Sequence, residues 1–475
     1  MVDRKKIKSA AIWSAFEALS SAALSIISVV FLARILNPDD YGKIAAAQTI
    51  AALMVLVLSL GLTEAVIQRK DLTQKLQLTV LWSTLGLSLF SFLASLVIAL
   101  YIEHVWNSKI IAIIMVSEGI GAAMQIAAVL PTGLLMKNLE MSALTKRTLI
   151  SRLCFFAVAI PMALTGFGLW SVVLGSLLQN TIATTLIYVQ SRKILPKGFY
   201  FNLKDFIELC KFGLFVMVEN LLWNVLSRVF SLLILSFHGV AQLGIYNMST
   251  RLTDAILNIL NTVIGRMALP VFSSVQDDRN KLINAFYKAT KIFNFVSMPA
   301  FVGIALTCND WLPLVLGEHW RPAVPIIQVI AIMNAVMFSR MFVGIVMKAV
   351  GQSRRFLYLS LTSAIVAVIA ALVTAKLSLI ETMITWSSMR VIITIPLGIW
   401  LMKRIITLGV IDQLRPVFYP ALTTLIMALA LILFRHFGAG ETAHPILYVV
   451  SEIGVGVLAY LLVMGVLFKM KKIDI

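Results

Sequence analysis

Five arginines, Arg228, Arg251, Arg266, Arg340 and Arg390, and six acids, Glu17, Glu64, Glu118, Glu219, Asp254 and Glu452, stand inside long apolar runs. A charge at the middle of a membrane helix costs about 2.5 to 3.5 kcal/mol on insertion scales. Each such group therefore needs a partner, a wet cavity, or an end position from which it can snorkel. Glu64, Arg266 and Arg390 lie near run ends and fit the last case. Helical spacing gathers several of the others. Ser14, Glu17, Ser21, Ser25 and Ser28 recur at intervals of three and four, a polar stripe on an otherwise apolar helix. Packing through small residues accounts for the serines but not for Glu17, so the stripe is expected to face a cavity. Glu219 follows Glu17 by 202 residues and shares its helix with Asn220, Asn224 and Arg228. Arg251, Asp254, Asn258 and Asn261 repeat the spacing of three and four, although Arg251 and Asp254 could also neutralise one another.

Guanidinium groups recognise phosphate oxygens in fixed geometry, and Asn and Ser satisfy hydroxyls, so this set suits an anionic, hydroxyl-rich ligand. Arg251, Arg340, Arg228, Asn224 and Asn258 are the candidate binding residues. Glu17, Glu219, Glu118 and Asp254 are the candidates for carrying a proton or Na+. No GxxxxGK[ST], HExxH or GxSxG occurs, so the familiar hydrolytic constellations are missing and no enzyme is expected. Cys154, Cys210 and Cys308 lie too far apart for a metal or disulfide framework, and no metal or organic cofactor is expected. His104, His238, His319, His436 and His444 all fall in short loops, where a solvated role outweighs pH sensing.

These side chains need elements to hold them. With 60% hydrophobic and 13% charged residues and a mean hydropathy of +0.94, water is not the main solvent of this chain. An all-α integral membrane protein is expected, because lipid demands internally satisfied backbone and no alternating β-barrel segments are present. About fourteen spans are read, at roughly 11–33, 44–66, 78–102, 110–136, 148–166, 169–190, 210–236, 242–270, 288–308, 324–350, 355–376, 383–403, 417–435 and 446–468. The basic N-terminal stretch precedes a run too long for a cleaved leader. Of the 40 Lys and Arg residues, only Arg34, Lys43, Lys109, Arg321, Lys376 and Arg435 fall on the face opposite the termini, apart from those inside helices. The positive-inside rule then places both termini in the cytoplasm. The net charge of +18 is spread over many short loops, which argues against nucleic acid as a partner.

An internal repeat is visible. Ser28 to Ala47, turning through Tyr41-Gly42, matches Phe230 to Ser249, turning through Leu243-Gly244, and Gly133-Leu134-Leu135-Met136-Lys137 matches Gly344-Ile345-Val346-Met347-Lys348. Six helices per copy give both copies one orientation. The expected organisation is an N-terminal lobe over 1–197, a C-terminal lobe over 198–404, and two further helices with a cytoplasmic tail over 405–475. The basic and aromatic segment Ser191 to Phe206 is read as a linker lying on the membrane surface.

The motifs Ala33-Arg34-Ile35-Leu36-Asn37-Pro38-Asp39-Asp40-Tyr41-Gly42, Gly61-Leu62-Thr63-Glu64-Ala65-Val66-Ile67-Gln68-Arg69-Lys70-Asp71-Leu72 and Leu269-Pro270-Val271-Phe272-Ser273 resemble those of Wzx-type flippases. Gly166-Phe167-Gly168-Leu169-Trp170-Ser171, Leu243-Gly244-Ile245-Tyr246 and Leu316-Gly317-Glu318-His319-Trp320 extend the likeness over nearly the whole chain. Wzx-type flippases form the polysaccharide-transport branch of the MOP superfamily, which also holds the MATE multidrug exporters. The likeness is strongest to the colanic-acid-exporter-like subgroup, and the sequence departs from it at Ser236-Phe237-His238-Gly239.

The resemblance implies two six-helix lobes around a central cationic cavity in the bacterial inner membrane, plus two C-terminal helices. Alternating access would move an undecaprenyl-pyrophosphate-linked oligosaccharide outward for exopolysaccharide, O-antigen or capsule assembly. It adds Arg34, a motif residue, to the candidate binding set. Implied partners are that lipid-linked oligosaccharide, membrane lipids, and the polymerase and chain-length proteins of the same pathway. Alternatives are a MATE-like multidrug exporter, which would need a pocket for cationic drugs rather than several arginines, and a membrane glycan polymerase or acyltransferase, which would bring longer catalytic loops. A non-transporting scaffold is a third.

Overall fold

The structure, a computed structural model, describes residues 4–69, 71–276, 278–438 and 444–469. Within them, the side chains of residues 4–12, 14, 15, 18, 19, 22, 26, 212–224, 226, 258–271, 353, 354 and 438 are not described. Regular structure among the described residues is helical throughout. Ten of these helices are long and apolar enough to cross a membrane. Three of the remaining expected spans, 11–33, 210–236 and 242–270, run through side chains outside the described set. The fourth, 383–403, lies in a helix whose middle carries Trp386, Ser387, Ser388 and Arg390, polar groups that depress its hydropathy.

The chain divides into two compact units, Met1–Gly244 and Ile245–Ile475. The first holds α1 (Arg4–Ile35), α2 (Pro38–Leu58), α3 (Leu62–Gln68), α4 (Gln74–Trp106), α5 (Lys109–Ala127), α6 (Val129–Lys137), α7 (Met141–Leu164), α8 (Leu169–Ser191) and α9 (Leu203–His238). Helix α9 packs on α2, α3 and α4, which is why it belongs with them. Asn37 caps α2 through its side-chain oxygen, which accepts from Asp40 N–H at 2.8 Å, and Pro38 starts the helix where no backbone donor is needed.

Two expected spans are broken in this unit for local reasons. The span at 44–66 divides into α2 and α3 because Leu60 and Gly61 take positive φ of 50° and 66°. The span at 110–136 divides into α5 and α6 near Pro131. Proline has no N–H to give the Ala127 carbonyl. That oxygen accepts instead from the Tyr188 hydroxyl of α8 at 2.8 Å, which keeps the bend satisfied inside an apolar layer.

The second unit holds most of α10 (Val240–Ser274), then α11 (Arg279–Leu316), the 3-10 turn Glu318–Ala323, α12 (Val324–Phe338), α13 (Phe342–Ala349), α14 (Ser353–Val373), α15 (Leu379–Ile406), α16 (Val410–Gly438) and α17 (Pro445–Lys469). Its core is aromatic: Phe272, Phe286, Phe293, Phe301 and Phe342 are buried together, and Phe293 and Phe272 meet Phe342 edge-on at 5.7 and 5.8 Å. Asp278 caps α11, and the Lys281 backbone N–H it accepts holds its carboxyl below the usual carboxylate range. The last two helices are not loose appendages. Helix α11 packs against both α16 and α17, and the Tyr460 hydroxyl donates to the Phe295 carbonyl at 2.5 Å.

The sequence repeat reappears in the backbone. Gly133 to Lys137 lies in α6 and Gly344 to Lys348 in α13, each a short helix following a break in a longer span. At the start of the repeat, α2 and α10 begin at equivalent residues, Pro38 and Val240. A Cβ on Gly42 would stand 2.0 Å from the Val240 carbonyl oxygen, and one on Gly244 would stand 2.0 Å from that of Pro38. The two equivalent turns thus touch reciprocally, backbone to backbone, and only glycine fits.

Candidate functional site

Helix α5 presents small residues to its neighbours. A Cβ on Gly119 would overlap Ser95 of α4 at 2.2 Å, and one on Gly121 would overlap the Asn180 amide of α8 at 2.6 Å. Ser88 of α4 donates to the Ala123 carbonyl at 2.7 Å across the same seam. This close approach is the packing of membrane helices that lack a hydrophobic drive between them. It places Glu118 of α5, 8% exposed, where α2 and α8 both reach it. Its carboxylate accepts from Gln48 Nε2 at 3.2 Å and Ser176 Oγ at 3.4 Å. Both donors are neutral.

A polar lane continues from this point along α8. Ser176, Asn180, Thr184 and Tyr188 recur every four residues, and Asn180, Thr184 and Tyr188 meet Gln125, the Met124 carbonyl and the Ala127 carbonyl. Sequence reading did not select these residues or Gln48. The period-four polar stripe on α8 was the signal available for four of them.

Glu17 takes a different position. It accepts from Thr148 at 2.9 Å and Thr145 at 3.5 Å, both on α7, and Arg152 of α7 donates to the Ser21 carbonyl at 2.8 Å. The part of the α1 stripe around Glu17 and Ser21 therefore packs on a helix, where a cavity wall was expected. Arg34 is exposed at the last turn of α1 and Arg228 is half-buried on α9.

In the second unit Arg340 sits where α12 gives way to α13. Two buried side chains shape that bend. Asn294 of α11 donates to the Ser339 carbonyl at 3.1 Å, satisfying an oxygen the broken helix leaves free. Gln413 of α16 donates its amide to the Ile399 and Leu408 carbonyls and accepts from Arg340 Nη2 at 2.6 Å. Arg340 Nη1 is buried and has no partner among the described residues. One edge of the guanidinium is thus fixed while the other keeps its donors. Arg251 and Asp254 lie a turn apart on α10, the first half-buried and the second exposed. Arg390 donates to Ser363 Oγ at 3.1 Å and lies over the Trp386 ring at 5.5 Å. The side chains of Glu219, Asn224 and Asn258 lie outside the described residues.

A charged cluster that the sequence did not announce lies at the far ends of α11, α16 and α17. Arg435 donates to Glu452 Oε1 at 2.6 Å and also pairs with Asp310. Glu452 is completely buried. Among the described residues no group of three or more His, Cys, Asp or Glu is placed to hold a metal ion.

Comparison with known proteins follows the same lines. A family described as polysaccharide biosynthesis protein matches residues 31–325. The chain is 26% identical over 342 residues to lipopolysaccharide biosynthesis protein WzxC of Escherichia coli strain K12, covering 70% of this chain and 67% of that one. It is 22% identical over 452 residues to succinoglycan biosynthesis transport protein ExoT of Rhizobium meliloti strain 1021, covering 94% and 90%. Its fold is similar to that of lipid II flippase MurJ in an inward closed conformation, with a TM-score of 0.76 at 14% identity, over 97% of this chain and all of that one.

Proposed function

The chain belongs to the polysaccharide biosynthesis protein family, and from that premise we propose that it is a flippase of the Wzx type. Its cargo is an undecaprenyl-pyrophosphate-linked oligosaccharide repeat unit, moved from the inner to the outer leaflet of the bacterial cytoplasmic membrane for exopolysaccharide, O-antigen or capsule assembly. The observation that carries this reading is the family match over residues 31–325 of a chain built from apolar, membrane-length helices. Arg340 supports an anionic cargo, because its Nη1 edge is buried without a partner among the described residues.

In this reading the lipid tail stays in the bilayer, and only the pyrophosphate and glycan need a polar path. Fourteen spans arise from two six-helix repeats over 1–197 and 198–404, with a C-terminal pair after them and both termini in the cytoplasm; by packing, α9, the first helix of the second repeat, lies with the first unit. The repeat at Gly42 and Gly244 supports the duplication, and the loop charges support the orientation. Alternating access exposes the path to each face in turn. An interior-negative potential assists the outward passage of each negative charge by about 2.3 kcal/mol per 100 mV. Glu118, held among the described residues by two neutral donors, is the preferred carrier of a coupling proton or Na+. Polymerase and chain-length proteins receive the product.

Deleting the gene tests the assignment directly. Lipid-linked repeat units should accumulate on the inner face while polymer export stops. Export of polymer without that accumulation overturns the reading.

A further inference from the structure

The connection 192–202 between α8 and α9 has no part in the transport reading. It folds against the start of α4. Trp82 Nε1 donates to the Gly198 carbonyl at 3.1 Å, the Trp82 and Phe199 rings lie 4.9 Å apart, and Lys75 stands over the Tyr200 ring at 5.5 Å. The turn so anchored closes a cleft of about 820 Å³ with Gln74 and Gln77 on one side and Arg192, Lys193 and Lys197 on the other. All three cations are exposed. The nearby acid Glu208 is already paired with Arg69 at 3.1 Å. The cleft therefore carries positive charge without an internal counter-charge in its lining, and the loop charges place it on the cytoplasmic side.

What lies beside the cleft separates a lipid from a soluble anion. Phe199 is 75% exposed and Phe201 and Leu203 project as well, an aromatic and apolar fringe of the kind that sits at headgroup depth. From Trp82 one face of α4 runs through Gly86, Leu89, Leu93 and Val97 at intervals of three and four. The last three are more than half exposed, and Gly86 leaves a notch with no atom within 4 Å of where a Cβ would stand. A charged mouth thus opens onto an apolar rail directed into the bilayer.

We propose that the cleft of Arg192, Lys193 and Lys197 binds the phosphodiester headgroup of a resident anionic phospholipid, with one acyl chain laid along the Trp82–Val97 face of α4. Basic pockets at the cytoplasmic ends of membrane helices hold such headgroups through the same electrostatics. The site tethers α4 and the α8–α9 connection to the inner leaflet, and it stands independently of which glycan is carried.

Native mass spectrometry of the full-length protein in mild detergent tests it, with phosphatidylglycerol and phosphatidylcholine of matched chains as probes. The wild type should retain phosphatidylglycerol preferentially. The exposed substitutions R192Q/K193Q/K197Q should weaken that retention at least about tenfold, while R192K/K193R/K197R, which keeps the charge, should preserve it. Equal retention by the neutral variant, or no preference over phosphatidylcholine, overturns the proposal. So does displacement by inorganic diphosphate, which would make this a soluble-phosphate site, or by far less polyprenyl diphosphate, which would make it a cargo site.

Discussion

Glu118 and Glu452 are both buried glutamates on membrane-length helices, and their surroundings treat the charge in opposite ways. Glu452 meets the Arg435 guanidinium through Nε at 2.6 Å, and Asp310 pairs with Nη2 of the same group. Glu118 meets an amide and a hydroxyl at 3.2 and 3.4 Å. An ion cluster bound by its own protein has no reason to exchange charge with anything else, so Glu452 reads as a fastening between α17 and its neighbours. A carboxyl with only neutral donors orients well but leaves its charge to be balanced by something that arrives, a proton or a cation. On the proposed function, the difference separates a buried acid free to exchange its charge from one that fastens helices together. It also gives α16 and α17 a job, as a hairpin riveted to α11 at one end and holding Arg340 through Gln413 at the other.

The comparison breaks most visibly if Glu452 is not a fastening. Arg435→Ala removes the cation that lies between Asp310 and Glu452; breaking a fully buried pair costs about 3 to 5 kcal/mol, and with the Arg435 side chain 31% exposed the loss should be about 2 to 3 kcal/mol. SDS-induced unfolding of the purified protein should show that loss. A cost below about 1 kcal/mol would mean that the cluster is solvated and the contrast with Glu118 is only apparent.

The neutral cage around Glu118 depends on how closely α5 approaches its neighbours. Gly119→Ala places a methyl 2.2 Å from Ser95 Oγ and 2.3 Å from its Cβ, a short side chain that cannot swing away. The helices must separate, at a cost of about 2 kcal/mol. The Glu118 bonds should lengthen with them. The companion Gly86→Ala on α4 meets open space and should be close to neutral.

In the second unit, Gln413→Leu removes the acceptor that fixes Arg340 Nη2 and the donor that serves Leu408 and Ile399. Membrane hydrogen bonds are individually modest, so the stability loss should be about 1 kcal/mol. The larger effect should fall on transport, measured as lipid-linked repeat units reaching the outer leaflet. If Gln413→Leu and Gln413→Glu transport equally well, α16 does not position Arg340.

Hydropathy made the helical class and most of the spans legible, and Tyr41-Gly42 with Leu243-Gly244 made the repeat legible, because a backbone crossing demands glycine at both equivalent turns. The breaks were harder. Pro131 lies inside the run read as one span over 110–136, and only the fold shows the break there and Tyr188 taking the freed carbonyl. The bend at Arg340 has no proline at all and rests on Asn294 and Gln413, more than forty residues away on either side. The partners of Glu118 and the Arg435 cluster were equally hidden. In a soluble helix the apolar face points to its neighbour, whereas a helix in lipid is apolar all round and its sequence says little about which side meets which helix.

The smallest structural effect decides the most. Glu118→Gln keeps the volume and an oxygen that can still accept from Gln48 and Ser176, so stability should change by less than about 0.6 kcal/mol. What it removes is the ability to hold a proton or neutralise a cation. Flipping in vesicles under an imposed pH or sodium gradient should therefore lose its gradient dependence in Glu118→Gln. Glu452→Gln, which leaves Arg435 beside Asp310, should keep that dependence even though it unfolds more easily. Stability and coupling would then separate between two buried glutamates of the same chain, which abundance or misfolding could not imitate. Undiminished gradient dependence in Glu118→Gln would remove Glu118 from the coupling step and reduce its neutral cage to helix packing.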